Sequence, residues 1–134
     1  MLTMPAKPIL VEVAPGELID KITILQIKSE RITDADKLKN VRVELEVLEA
    51  ARDGAMAATL ELGSLTAQLK QVNEALWEIE DGIRDCEREQ DFGPKFVELA
   101  RSVYHSNDRR AALKRQVNEL LGSKLIEEKS YAAY

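Results

Sequence analysis

The sequence predicts an all-α fold, an antiparallel helical bundle built on a long helical hairpin, with a short N-terminal extended arm. Two long runs of apolar residues repeat at alternating spacings of three and four, the period of a helix that packs along one face. A Gly-Pro pair between the runs ends one helix and starts the next. Aromatic residues make up only 4% of the chain, so aliphatic side chains are expected to form the core.

The first residues, 1–14, are predicted to be the extended arm. Within them residues 9–13, ILVEV, alternate weakly between Pro8 and Pro15, a pattern typical of a short strand or extended segment. A lone strand leaves its backbone groups unpaired. The arm is therefore expected to lie over the bundle, to meet the C-terminal stretch KLIEE, or to pair with a second copy of itself.

Two helices are predicted before the hairpin, over residues 16–33 and 35–52. A Pro-Gly pair opens the first helix, where proline suits the first helical position. Thr33 is the expected N-cap of the second helix, in the capping-box-like sequence TDAD. The Asp-Gly pair at 53–54 is expected to end that helix in a turn.

The hairpin is predicted from residues 64–90 and 95–121, of which the first would span about 40 Å. Gly93 is expected to adopt a left-handed cap and Pro94 to occupy the first position of the next helix. So short a connection makes the two helices antiparallel. Residues 123–134 are predicted to be a short helical turn and a tail.

The first helix carries apolar residues on two sides. One strip consists of Leu18, Ile22, Leu25 and Ile32, and the other contains Ile24 and Ile27. Burying an isoleucine contributes about 1.5–3 kcal/mol, so a second strip is explained by a second contact surface. We therefore expect self-association, in the form of a dimer. The alternative is that this helix is central in its own bundle and wrapped on all sides.

Two polar stripes interrupt the hairpin. Folding about Gly93 brings a stripe of one long helix opposite a stripe of the other. The first comprises Asn73, Trp77, Glu80 and Arg84, and the second comprises Asn107, Arg110 and Lys114. One interpretation is an ion-pair network that fixes the register of the helices.

The other interpretation of the stripes is an anion pocket. Arg84, Arg110 and Lys114 would bind a phosphate or carboxylate, with Trp77 as a flat wall and Glu80 as a base. Two further lysines in the first helix, Lys21 and Lys28, would either join this site or form a solvated face.

Composition limits the function further. All 134 residues suit a single domain, and the net charge of −5 argues against general nucleic-acid binding. The single cysteine excludes an intrachain disulfide, and no apolar run reaches the length of a membrane span. No phosphate loop or metal-ligand motif occurs, so no cofactor and no metal are predicted. A soluble, cytoplasmic protein is expected.

Three stretches resemble the pattern of a small bacterial family that is itself a domain of unknown function. They are PGELIDKITILQIKSERI, NEALWEIEDGIR and LARSVYHSNDRRAALKRQVNELLGSKLIEEKSY, and together they cover about half of the chain. The resemblance implies no activity. It implies at most a cytoplasmic role with anionic sugar or nucleotide-sugar partners. All seven residues of the two polar stripes lie inside these stretches.

Overall fold

The computed structural model describes residues 4–134, which form four helices and, within that range, no strand. The helices are α1 (Pro15–Arg31), α2 (Ala35–Ala55), α3 (Leu60–Glu89) and α4 (Pro94–Leu120). The predicted all-α fold class is therefore confirmed. Within the described range, no helix combines the length and the apolar composition that crossing a membrane requires.

The long hairpin is formed by α3 and α4, which make the most extensive contact between any two helices. The left-handed residue that ends α3 is Gln90, with φ of 57°, and not Gly93 as the sequence predicted. Gly93 instead has φ of −80° and is the N-cap of α4, where its N–H donates to Asp91 Oδ1 at 3.0 Å. Pro94 occupies the start of α4 as predicted.

Helix α1 is the central element, because it packs against α2, α3 and α4, whereas α2 packs against α1 alone among these helices. Ile22 of one apolar strip and Ile27 of the other are both essentially inaccessible to solvent. Both strips therefore face the interior, as in the alternative of a wrapped helix. The prediction of a dimer no longer rests on α1.

The hydrophobic core lies where α1, α3 and α4 meet. Its buried residues are Ile19, Leu62, Leu69, Val72, Leu113 and Val117. Beside this core α1 and α4 approach very closely, since a Cβ added at Gly16 would lie 2.3 Å from the Lys114 carbonyl oxygen. The Gly16 N–H also donates to Asn118 Oδ1 at 2.7 Å. The missing side chain of Gly16 is thus what allows this contact.

Several predicted helix ends are wrong. The N-cap of α2 is Asp34 rather than Thr33, because the Asp34 carboxylate accepts the Lys37 N–H at 2.9 Å. The Asp-Gly pair does not form a turn but continues the helix to Ala55. Both ends illustrate that local turn signals are weak beside an available cap or a continuing hydrogen-bond ladder.

Helix α3 begins at Leu60 rather than at residue 64. Thr59 supplies the cap, since its Oγ1 accepts the Leu62 N–H at 3.2 Å, and Leu62 is thereby placed in the core. Helices α1 and α4 end at Arg31 and Leu120, one or two residues before their predicted ends.

The two terminal segments meet at one point. Residues 4–13 are exposed and lack regular structure, and Glu12 Oε1 lies 3.3 Å from Lys124 Nζ. This is one of the three placements expected for the arm, whose residues 1–3 lie outside the described range. The predicted helical turn after residue 123 is absent, and the tail runs back along α4 instead. Ion pairs with α4 hold it there in place of helical hydrogen bonds.

Candidate functional site

A cleft of about 550 Å³ lies between α1, α3 and α4. Its walls are made by Ile24, Ile27 and Lys28 of α1, by Asn73, Leu76, Trp77, Glu80, Asp81 and Arg84 of α3, and by Val103, Asn107 and Arg110 of α4. Both polar stripes of the hairpin therefore face one cavity. Every residue of the sequence-predicted site lines it except Lys114.

A buried carboxylate holds Arg110 at the wall of this cleft. Asp20 of α1 has no exposed surface, and it accepts hydrogen bonds from Arg110 Nε at 2.9 Å and Nη2 at 2.5 Å. Asn73 of α3 donates to Asp20 Oδ1 at 2.9 Å and to Thr23 Oγ1 at 3.0 Å. The Thr23 hydroxyl in turn donates to the Asp20 carbonyl at 2.7 Å. One network thus joins three helices.

The geometry of the network fixes the charge of Arg110. The hydrogen bond to Asp20 raises the pKa of the guanidinium above its ordinary value, and this outweighs the opposing effect of burial. Asp20 takes the N–H of Nε and one N–H of Nη2, so the second N–H of Nη2 and both N–H groups of Nη1 are left to a ligand. The Arg110 side chain is 30% exposed, which gives it access to the cleft as well as to Asp20.

Other charged groups line the same cleft, and most of them are more exposed to solvent than Arg110. Arg84 Nη2 lies 4.0 Å from Glu80 Oε2, and both side chains are at least half exposed. Such a pair contributes little to stability and leaves both groups able to contact a ligand. Lys28 of α1 and Asp81 of α3 complete the charged lining. The cleft therefore offers three cations against two carboxylates, with Arg110 already paired to Asp20.

Apolar side chains form much of the cleft wall, and they include the only tryptophan of the chain. Trp77 is partly buried, and the aliphatic side chains of Ile24, Ile27, Leu76 and Val103 surround the same space. A flat aromatic wall beside a few polar groups is the usual composition of a small-molecule site.

Lys114 does not belong to the cleft, contrary to the position predicted from folding about Gly93. Its Nζ lies 2.8 Å from Glu17 Oε2 of α1 and 3.0 Å from Glu127 Oε2 of the tail. Burial lowers the pKa of Lys114, but the hydrogen bonds to the two glutamates outweigh it and raise the pKa overall. The prediction from folding about Gly93 considered only α3 and α4, whereas Lys114 pairs with α1 and with the tail.

The two lysines of α1 lie in different surroundings. Lys28 lines the cleft, whereas Lys21 is exposed and does not.

Sequence reasoning missed Asp20 and Thr23. Asp20 stands four residues before Ile24 and seven before Ile27, so it continues the second apolar strip of α1. A carboxylate within an apolar strip is the signal that could have marked it as a buried, partnered charge.

The cleft presents carboxylates and amides beside its cations. Across residues 4–134, no three histidine, cysteine, aspartate or glutamate side chains are grouped as metal ligands would be. Cys86 is buried and does not line the cleft. Glu80 and Asp81 are the carboxylates of the cleft, and Asn73 and Asn107 are amides that can both donate and accept.

Comparison with known proteins gives one result. A family model described as a family of unknown function (DUF6165) matches residues 9–134, which is nearly the whole chain. No curated protein and no solved structure matches the chain. The match confirms the resemblance to an uncharacterised domain, while the bacterial origin stays a prediction. The chain belongs to the family of unknown function DUF6165.

Proposed function

We propose that the protein binds a small anionic metabolite, with a phosphorylated sugar or a nucleotide sugar as the ligand class, in the cleft between α1, α3 and α4. The observation that carries this proposal is the placement of Arg110 at the cleft wall by a fully buried Asp20. Buried ion pairs are a poor source of stability, because removing two charges from water costs about as much as their attraction returns. A binding function accounts for retaining one here.

The size of the cleft supports a metabolite. Ligand pockets commonly enclose roughly 300–1,000 Å³, and about 550 Å³ falls in the middle of that range. Trp77 offers a surface on which a base or sugar ring can stack, and the two asparagines can hydrogen-bond to hydroxyl or amide groups. Lys28, Arg84 and Arg110 supply the cations for a phosphate.

Binding is favoured over catalysis by the same lining. The lining residues include no histidine and no cysteine, and Glu80 is half exposed and close to Arg84. A general base would have to reach a substrate proton while shielded from water. The enzyme hypothesis, in which Glu80 acts as base, therefore has less support than a binding or accessory role.

The experiment is a ligand panel read by melting temperature and by Trp77 emission. We expect a nucleoside diphosphate sugar or a sugar phosphate to raise the melting temperature. A ligand present at a hundred times its Kd adds about 2.7 kcal/mol to the unfolding free energy. We expect it also to change the emission of the single tryptophan. A neutral nucleoside and inorganic phosphate serve as comparison ligands.

Variants separate the cleft from general charge effects. Arg84→Gln and Lys28→Gln remove cations from the cleft without touching the Asp20 network, and each is expected to weaken binding by about ten-fold. Arg88→Gln is the matched control, because Arg88 lies one turn further along α3, is 71% exposed and does not line the cleft. The proposal is wrong if no anionic ligand stabilises the fold at millimolar concentration, or if Arg88→Gln weakens binding as much as Arg84→Gln.

We further propose self-association as a second role, on the evidence of the arm. Ile9 and Leu10 are 89% and 90% exposed, and Val11 is 72% exposed. Three adjacent apolar side chains in water favour a contact with another surface, and a second copy of the chain is the partner we infer.

Sedimentation at high micromolar concentration tests this second role. A dimer that dissociates in a Leu10→Lys variant is expected. A monomer at all concentrations would contradict it, as would a dimer unaffected by Leu10→Lys.

A further inference from the structure

A second cavity, of about 630 Å³, lies on the outer side of α4 beneath the C-terminal tail. All three tyrosines of the chain line it: Tyr104 comes from α4, and Tyr131 and Tyr134 come from the tail. Asp108 and Lys129 are its charged residues. None of these residues lines the cleft described above, so the two cavities are separate sites.

Core packing does not explain the position of these tyrosines. The core is aliphatic, and the three rings are 41%, 83% and 74% exposed in the order Tyr104, Tyr131 and Tyr134. Aromatic rings gathered around an open cavity are typical of a recognition surface, where they provide contact area at low entropic cost.

The rings and Asp108 together make this cavity attractive to positive charge. The Tyr134 hydroxyl donates to Asp108 Oδ2, which fixes the tail against α4, and the rings of Tyr104 and Tyr134 lie edge to face with centroids 5.1 Å apart. The hydrogen bond to Asp108 raises the pKa of Tyr134, so the phenol stays protonated and neutral. Ring faces carry the negative end of the aromatic quadrupole, and the Asp108 carboxylate adds a full charge.

The chain already places a cation against one of these rings. Lys129 Nζ lies 5.9 Å from the centroid of Tyr131, at the outer limit of a cation–π contact. An ammonium group is thus sterically and electrostatically accommodated there.

We propose that the tyrosine-lined cavity binds an organic cation, with a quaternary ammonium group as the recognised chemistry. Hard metal cations need several oxygen ligands, and Asp108 supplies the single carboxylate side chain of the lining. A methylated ammonium instead gains from aromatic faces and from the small apolar side chains of Ala132 and Ala133. The net charge of −5 also draws cations to the protein.

Choline tests the proposal against its neutral carbon analogue, in which carbon replaces nitrogen. Titration followed by the tyrosine ring resonances is expected to show millimolar binding of choline and roughly five-fold weaker binding of the analogue. Tyr131→Leu and Asp108→Asn are each expected to weaken choline binding by roughly two- to five-fold. Phe92→Leu is the matched control, because Phe92 is 49% exposed but does not line the cavity.

Lys129→Ala gives the sharpest result. The variant removes a competing positive charge, so it is expected to bind choline roughly two- to three-fold more tightly. If the cavity bound an anion instead, Lys129→Ala would weaken the binding of that anion, because the variant removes the positive charge that attracts it. Equal binding of choline and the analogue, weaker choline binding by Lys129→Ala, or an equal loss in Phe92→Leu would each overturn the proposal.

Discussion

Two arginine–carboxylate pairs of helix α4, one with α1 and one with the C-terminal tail, differ in burial. Toward α1, Arg110 pairs with an Asp20 that has no exposed surface. Toward the tail, Arg115 lies 3.4 Å from a Glu128 that is 72% exposed. The same chemistry of guanidinium and carboxylate is thus present in the interior and in water.

The comparison teaches that the surroundings decide what an ion pair does. In water the pair replaces good hydration and contributes little, so it can open and close readily. In the interior Asp20 depends on Arg110, because without it the fully buried carboxylate would be an unpaired charge. The buried pair is therefore suited to hold a binding residue in place, and the exposed pairs are suited to a tail that can move.

The largest expected effect comes from the buried pair. Arg110→Ala leaves the Asp20 carboxylate without its partner and should cost about 3–5 kcal/mol of unfolding free energy. Asp20→Asn should cost less, about 1–3 kcal/mol, because the partly exposed Arg110 can still reach water. Urea denaturation measures both. A loss below about 1 kcal/mol for Arg110→Ala would show that the pair is not effectively buried.

The closeness of α1 to α4 gives the second effect. A methyl group at Gly16 meets the Lys114 carbonyl, so Gly16→Ala should separate the helices and cost about 1–3 kcal/mol. Gly63→Ala is the matched control. Gly63 lies in α3 with open space around it, so its substitution should stabilise by about 0.5–1 kcal/mol. If both substitutions changed the unfolding free energy in the same direction, the close approach of α1 and α4 at Gly16 would be contradicted.

Lys114 of α4 pairs both with Glu17 of α1 and with Glu127 of the tail. Its pKa is raised in the folded protein, so its contribution to stability is fully present at neutral pH. That contribution is lost as pH rises above about 10.4, the ordinary pKa of lysine, and through the higher folded value. The unfolding free energy, measured by urea denaturation at pH 8, should be higher for wild type than for Lys114→Gln by about 1 kcal/mol or less. This difference should narrow in strong alkali. A difference that widens there would contradict the assignment.

The smallest effect is expected at the exposed pair. Arg115→Ala removes contacts with Glu119 and Glu128 that are both solvent-exposed, so unfolding free energy should change by under about 0.5 kcal/mol. The NMR order parameters of the tail backbone should nevertheless fall, because fewer contacts hold the tail against α4. A loss comparable to that of Arg110→Ala would show that the tail is part of the core.

The hairpin and most of the cleft lining could be predicted from the sequence, because both follow from helical periodicity. Trp77, Glu80 and Arg84 share a stripe on α3, and the four-residue connection forces that stripe to face α4. Only the relation of one helix to its neighbour along the chain is needed for that inference.

The role of Asp20 and the position of Lys114 could not be predicted in the same way. Both depend on how α1 crosses the hairpin, and no local pattern specifies the angle between helices that are distant in sequence. The placement of the tail against α4 depends on Glu127 and Tyr134 reaching partners on that helix, at separations that periodicity does not encode.

The central claim is that Asp20 holds Arg110 at the wall of a ligand-binding cleft. It is tested most directly by an NMR titration with a nucleoside diphosphate sugar, observing the Trp77 indole N–H and the Arg110 Nε–H. The account predicts that both resonances shift along one binding curve, and that the Arg110 signal stays sharp because Asp20 keeps it hydrogen-bonded. Shifts confined to the tail, or no shift of either signal at millimolar ligand, would contradict it.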